Sequence, residues 1–198
     1  MSSSIERKQR QREALRTGIL TAARNIALRE GWQAVTIRKI ADEVAYTPPI
    51  VYEHFENKEA VLYEVAMEGF RLLRSKLEAE QEADPGQRLF RYALIHWEFA
   101  GEHREYYKLM FSIEGLPSIA KERPKEVTAT GAIIINTIRE ISQISDEAEL
   151  REVLFQWTCI VNGFITITLI MEDKLKEREI IPEQFLERAT QRFIKSIT

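Results

Sequence analysis

Thr36, Thr47, Tyr52, His54 and Lys58 fall in one short stretch, TIRKIADEVAYTPPIVYEHFENK, between Thr36 and Lys58. Hydroxyls, a phenol, an imidazole and an ammonium are donors suited to phosphate oxygens, contacts that fix the register of a protein on a duplex without reading its sequence. The same stretch holds groups that could meet base edges. Pro48 and Pro49 present apolar rings, which suit thymine methyls better than hydrogen bonding. Arg38 stands where it would approach the edge of a groove, and Glu53 would either accept from a cytosine amine or face solvent.

The elements that must position these residues follow from the apolar period. Ile37, Ile40, Ala41 and Val44 recur at i, i+3, i+4 and i+7, one stripe on a helix capped by Thr36. After Ala45 and Tyr46 a second helix begins at Thr47-Pro48-Pro49 and carries Ile50, Val51, Tyr52 and Phe55. Proline is tolerated in a first turn because its missing N–H would have no helical partner there. Pro48 disfavours the helical region for Thr47, which suits a cap whose hydroxyl accepts from a first-turn N–H. Pro48 is itself followed by proline, so the helix starts at Pro48 or at Pro49. Two short helices joined by a tight turn are the helix-turn-helix unit, which lays its second helix in a DNA major groove.

At this point the chain resembles the TetR-type bacterial regulators. The resemblance rests on Thr36, Ile40-Ala41, Thr47, the block Val51-Tyr52-x-His54-Phe55 and Lys58-Glu59-x-x-Leu62, within about residues 7–63. It implies an all-α chain with a three-helix DNA-binding head and a helical body that binds a ligand and dimerises. Two positions depart from the family pattern. Ala45 stands where a turn glycine is usual, and Ile50 where many members carry a small hydroxyl residue.

Composition is compatible with that reading and narrows it. The 198 residues are 44% hydrophobic with 8 Gly and 6 Pro, enough core-formers and few breakers for a helical globular protein. The net charge of −3 looks wrong for a DNA binder until it is divided. Residues 1–63 hold ten Lys and Arg against eight Asp and Glu, and the remainder holds 18 against 23. The basic excess is local, densest at Arg7, Lys8, Arg10, Arg12 and Arg16, so one end can meet DNA. The single cysteine, Cys159, excludes an intramolecular disulfide and fits a reducing compartment. The N-terminus has no apolar signal region. A cytoplasmic location is expected.

Along the chain, residues 1–6 are expected to be disordered, with a helix from about Arg7 to Glu30 on Leu15, Ile19, Ala22, Ala23 and Ile26, ended by Gly31. Trp32 and Val35 should plug the head. A long helix from Lys58 to about Ala83 should leave the head for the body, with Gly69 as a flex point. Helices follow over Gln87–Glu102, Arg104–Phe111 and Lys125–Ile141, with a loop about Gly115, Pro117 and Pro124 and a turn of helix near Ile119. Ser145 should cap the next helix, running to about Lys176. Its core, CIVNGFITITLIM from Cys159 to Met171, is short of the roughly 18 apolar residues that a membrane span needs, so no membrane partner is expected. The last helix spans Pro182 to Ile197. The domains are therefore expected at 1–58 and 59–198.

Aromatics with polar tips suggest a small-molecule site in the body, although ordinary core packing explains any one of them. The candidate lining is Trp97, His103, Tyr107, Phe111, Trp157 and Phe164, with His96, Asn162 and Thr166 as further polar groups. The resemblance implies that the last two long helices pair with those of a second copy through Phe164, Ile167, Met171, Phe185, Ala189 and Phe193. His96, Glu98, Glu102 and His103 lack the spacing of a metal site, and no nucleotide-binding or nucleophile motif is present. No metal, cofactor or catalytic residue is expected. The expectation is a homodimeric repressor on a palindromic operator, released by a small apolar or amphipathic effector; a constitutive repressor and a helical adaptor without DNA are the rivals.

Overall fold

The computed structural model describes residues 2–111, 124–179 and 181–198, which form helices and turns with no strand among them. The helices are α1 (Ser2–Glu30), α2 (Ile37–Glu43), α3 (Pro48–Tyr52), α4 (Lys58–Glu78), α5 (Pro85–Glu102), α6 (Arg104–Phe111), α7 (Lys125–Ser142), α8 (Glu147–Ile170), α9 (Glu172–Glu177) and α10 (Pro182–Ile197). A single 3-10 turn, Trp32–Ala34, joins α1 to α2. The loop and short helix expected around Gly115–Ile119 lie outside the described residues.

These residues group into two compact units, one from 2–69 with 105–111 and the other from 70–104, 124–179 and 181–198. The first is the head, cored by Ile19, Ala23 and Ile26 of α1 against Val35, Ile40, Val51, Phe55, Val61 and Val65. Gly31 ends α1 at φ 85, the left-handed conformation glycine adopts without cost. Val35 is fully buried as expected, whereas Trp32 is half-buried, with its indole N–H donating to the Glu105 carbonyl at 3.0 Å.

That bond belongs to a cluster the linear chain did not announce. Helix α6 packs in the head unit. Arg24 donates to the Tyr106 hydroxyl at 2.7 Å, and Tyr106 in turn bonds the Glu68 carboxylate. Burial, then Glu68, holds the phenol well above its ordinary pKa, so it stays a neutral donor. Gly69 has a packing role rather than a flexing one. A methyl at its Cα would lie 2.5 Å from Met110 Sδ and 3.0 Å from Tyr106 Cδ1.

In the second unit α5 packs on α7, α8 and α10, and α8 on α7 and α10. Its core joins Leu89, Phe99 and His96 of α5 to Ile138, Leu150, Trp157, Val161, Leu186 and Phe193. Asp84 caps α5 by accepting from the Gln87 N–H at 2.7 Å, with Pro85 at the first helical position.

Four boundaries differ from expectation. Helix α1 begins at Ser2, because Ile5 to Leu15 is an unbroken run of helix-permissive residues. Helix α4 stops at Glu78, not Ala83, and the Glu80 carboxylate takes the backbone N–H groups of Gln81 and Glu82 at 2.9 and 3.0 Å. Asp146, not Ser145, caps α8, accepting from Ala148 and Glu149 at 3.0 and 2.8 Å. Helix α8 ends at Ile170, after the β-branched run Ile165-Thr166-Ile167-Thr168, and α9 follows as a separate turn and a half. At 24 residues α8 does have the length and apolar content to cross a membrane, a weak indicator that core helices also meet. Its inner face, Leu150, Val153, Trp157, Val161 and Ile165, is buried within the unit.

Candidate nucleic-acid interface

Each half of the helix-turn-helix is fixed by its own sequence. The Thr36 hydroxyl accepts from the Lys39 N–H at 3.2 Å and so caps α2, which leaves its own O–H proton available to an outside acceptor. Ile37, Ile40 and Ala41 face inward, and Arg38 and Lys39 face out. The turn closes through Ala45 N–H to the Asp42 carbonyl at 3.2 Å and Tyr46 N–H to the Ala41 carbonyl at 2.9 Å.

Ala45 adopts φ 57, the left-handed conformation that a Cβ disfavours. The turn therefore keeps the geometry a glycine would take. Ala45→Gly should raise stability by about 1 kcal/mol without altering contacts, since Ala45 is exposed; a chemical-denaturation midpoint that does not rise would contradict the strain.

Helix α3 begins at Pro48, the earlier of the two starts considered, with Thr47 extended at φ −92 and ψ 152. The expected cap bond from the Thr47 hydroxyl is absent, and the reason is the prolines. Pro48 and Pro49 have no N–H, and the next donor, Ile50 N–H, already bonds the Thr47 carbonyl at 3.0 Å. The hydroxyl is left on the surface beside exposed Pro49. Val51 and Phe55 anchor α3 in the core, which turns Tyr52 outward at 54% exposure. Glu53 is exposed and His54 half-buried. The His54 pKa is held below its ordinary value by burial and then by the Arg12 and Arg16 charges, so at neutral pH it offers a neutral imidazole.

The remaining members sit at the edge. Lys58 opens α4, and its ammonium reaches the Trp32 carbonyl at 3.4 Å, a long contact that leaves donors over. Arg16, which the sequence offered only as part of a basic arm, is a structural clamp. It donates to the His54 carbonyl at 3.1 Å, pairs with Glu64 at 3.2 Å and lies 4.3 Å from the Phe55 ring centroid. Its i, i+4 spacing to Arg12 was visible; the partners 38 and 48 residues away were not. Thr36, Arg38, Thr47, Pro48, Pro49, Tyr52 and His54 thus belong to the helix-turn-helix of this unit, and Lys58 to the start of α4 that follows it. Its exposed hydroxyls, phenol and cations can bond phosphate, while two rigid rings lead the short helix.

The residues expected to line a ligand site divide between the two units. Tyr107 and Phe111 stack at 4.8 Å in the head unit. In the other unit Trp157 is buried against His96 at 5.3 Å between centroids, and His103 lies 4.9 Å from the Phe99 ring. Trp97 lines a cleft of about 460 Å³ with Leu169, Leu175, Pro182, Glu98 and Arg104. Phe164 lines a second, fully apolar cleft of about 240 Å³ with Ile167, Leu175 and Phe185. Of the expected pairing residues, Ile167 and Phe185 are exposed, Phe164, Met171 and Ala189 half-buried, and Phe193 is buried in its own unit. Among the described residues no group of side chains is placed to hold a metal ion.

A short second helix joined to a capped first one by a tight turn is a helix-turn-helix. Residues 19–65 match the bacterial regulatory proteins of the tetR family. The fold is shared more widely along the chain. It superposes with TM-score 0.73 on a protein of unknown function from Rhodococcus sp. RHA1, at 21% identity, covering 92% of this chain and 95% of that one. For the fatty acid degradation regulator FadR from Bacillus halodurans the values are 0.69, 15%, 90% and 94%. For a TetR-family transcriptional regulator from Bordetella parapertussis 12822 they are 0.62, 17%, 90% and 93%. No curated protein sequence matches the chain. Residues 19–65 are thus similar in sequence to the bacterial regulatory proteins of the tetR family, and the fold of the chain is one that TetR-family transcriptional regulators share.

Proposed function

We propose that this protein is a repressor that binds a palindromic operator as a homodimer and leaves it when a small apolar or amphipathic effector occupies the second unit. The head carries the reading. Thr36, Thr47, Tyr52, His54 and Lys58 hold phosphates, and Pro48, Pro49 and Arg38 face the bases. Two-fold symmetry would then set the half-sites about 34–36 Å apart, or somewhat more.

The dimer is supported by the outer face of α8. Phe155, Ile167 and Ile170 are 66%, 57% and 78% exposed, and Phe185 of α10 is 49% exposed. Large apolar groups gathered on one face favour burial against a partner. An Ile170→Glu, Phe155→Glu variant should run as a monomer in light scattering and lose operator affinity by more than tenfold; a dimer of wild-type affinity would place the interface elsewhere.

The effector reading is supported by the cleft at Trp97, which joins apolar walls to Glu98 and Arg104. An effector releases DNA only if it binds the DNA-incompetent state more tightly. The direct experiment is to recover a duplex from a random library with the full-length protein and titrate it against random competitor. Recovery of a palindrome bound on the order of 10³-fold tighter supports an operator. Effector screening against that complex then decides the rest, and equal effector affinity for free and operator-bound protein would sink the release mechanism.

A further inference from the structure

Helix α1 overhangs the head it belongs to. Every residue from Ser4 to Ala14 is exposed, and burial begins only at Leu15. Isolated helix of this length is marginal in water, and its composition is strongly charged: Arg7, Lys8, Arg10 and Arg12 against Glu6 and Glu13. The charges are unevenly distributed around the axis. At about 100° per residue, Lys8, Arg12 and Arg16 form one stripe at i, i+4 and i+8. Glu6 and Glu13 lie to one side of it, and Arg7 and Arg10 on the far side.

The last rung fixes where the stripe points. Arg16 is held to the His54 carbonyl at 3.1 Å and to Glu64 at 3.2 Å, so its side of α1 is the side against the end of α3. Arg12, one turn up, remains close enough to His54 to repel its proton, after burial the largest influence on that imidazole. Lys8 continues the line a further turn, about 6 Å along the axis. Neither the Lys8 nor the Arg12 side chain has an ion-pair partner within the chain among the described residues.

We infer that Lys8 and Arg12 are a phosphate-binding extension of the DNA interface, gripping the duplex backbone beyond the segment covered by α3. This rests on the DNA-binding reading of the head and adds to it a second, sequence-independent foothold. Such a foothold raises affinity for all duplexes and sharpens salt dependence without choosing among base sequences.

The test is a salt titration of duplex binding by the full-length protein, with the library-recovered duplex and a random-sequence duplex as probes. Lys8→Gln with Arg12→Gln should lower the slope of log K against log salt by about 0.9 for each phosphate no longer neutralised, roughly 2 per head. Affinity should fall on both probes alike. Arg7→Gln with Arg10→Gln removes the same charge from the opposite side and should change the slope by less than half as much. Equal effects from the two pairs would overturn the stripe in favour of general attraction, and no effect from Lys8 and Arg12 would overturn the foothold altogether. All four positions are exposed, so circular dichroism should show every variant folded. A wild-type protein that binds neither probe overturns the parent reading as well, and is distinguishable because no slope exists to change.

Discussion

Between pH 6.5 and pH 4 the protein should lose about 3 kcal/mol of stability through one residue, His96. Its ring is buried on α5, with Nδ1 2.7 Å from the Tyr92 carbonyl and the Trp157 ring set edge-on at 5.3 Å. Burial, opposed only by the bond to Tyr92, holds the pKa down to about 4 from the ordinary 6.5. In that interval the unfolded chain binds a proton the folded chain refuses. Stability therefore rises with pH through the window and falls as acid is added, by about 1.4 kcal/mol per unit. For a chain of this length the loss lowers Tm by roughly 10 °C. His96→Leu should flatten that part of the pH profile whatever it does to stability at pH 7. Thermal melts of the two proteins at about pH 7, 5.5 and 4.5 decide the matter: parallel profiles would mean that His96 does not carry the proton linkage.

Gly69→Ala should be destabilising by about 1–3 kcal/mol, although alanine in a helix interior normally gains about 1 kcal/mol over glycine. The new methyl would overlap Met110 Sδ at 2.5 Å and crowd Tyr106 Cδ1 at 3.0 Å. Met110 can swing aside, but the Tyr106 ring is held by Arg24 and Glu68 through its hydroxyl, so the strain is shared with the contact between α6 and the head. A double-mutant cycle with Met110→Ala provides the measurement. In that background the larger overlap is gone and the cost of Gly69→Ala should fall by more than half. A cost unchanged by removing Met110 would show that the Met110 side chain is not what the new methyl at Gly69 meets.

Much of the head was legible because its information is local. Thr36, the stripe of Ile37, Ile40, Ala41 and Val44, and the two prolines determine two short helices by capping and period alone, and Val51 and Phe55 fix which face of α3 is turned out. The exposed set that remains, Thr47, Pro49 and Tyr52, follows by exclusion. Helix ends were less legible where a side chain competes for backbone donors, as Glu80 does beyond α4.

What only the tertiary structure decided depends on partners far apart in the chain. No periodicity assigns α6 to the head, because the bonds from Arg24 to Tyr106 and from Trp32 to Glu105 span 82 and 73 residues. Gly69 reads as a weak point in a helix until Met110 and Tyr106 are found against it. Arg16 reads as one more surface cation until it is seen under the end of α3. Helix and turn are set by forces acting within a few residues, which a sequence displays in order. Packing is set by which surfaces meet, and the order of residues along the chain does not contain that.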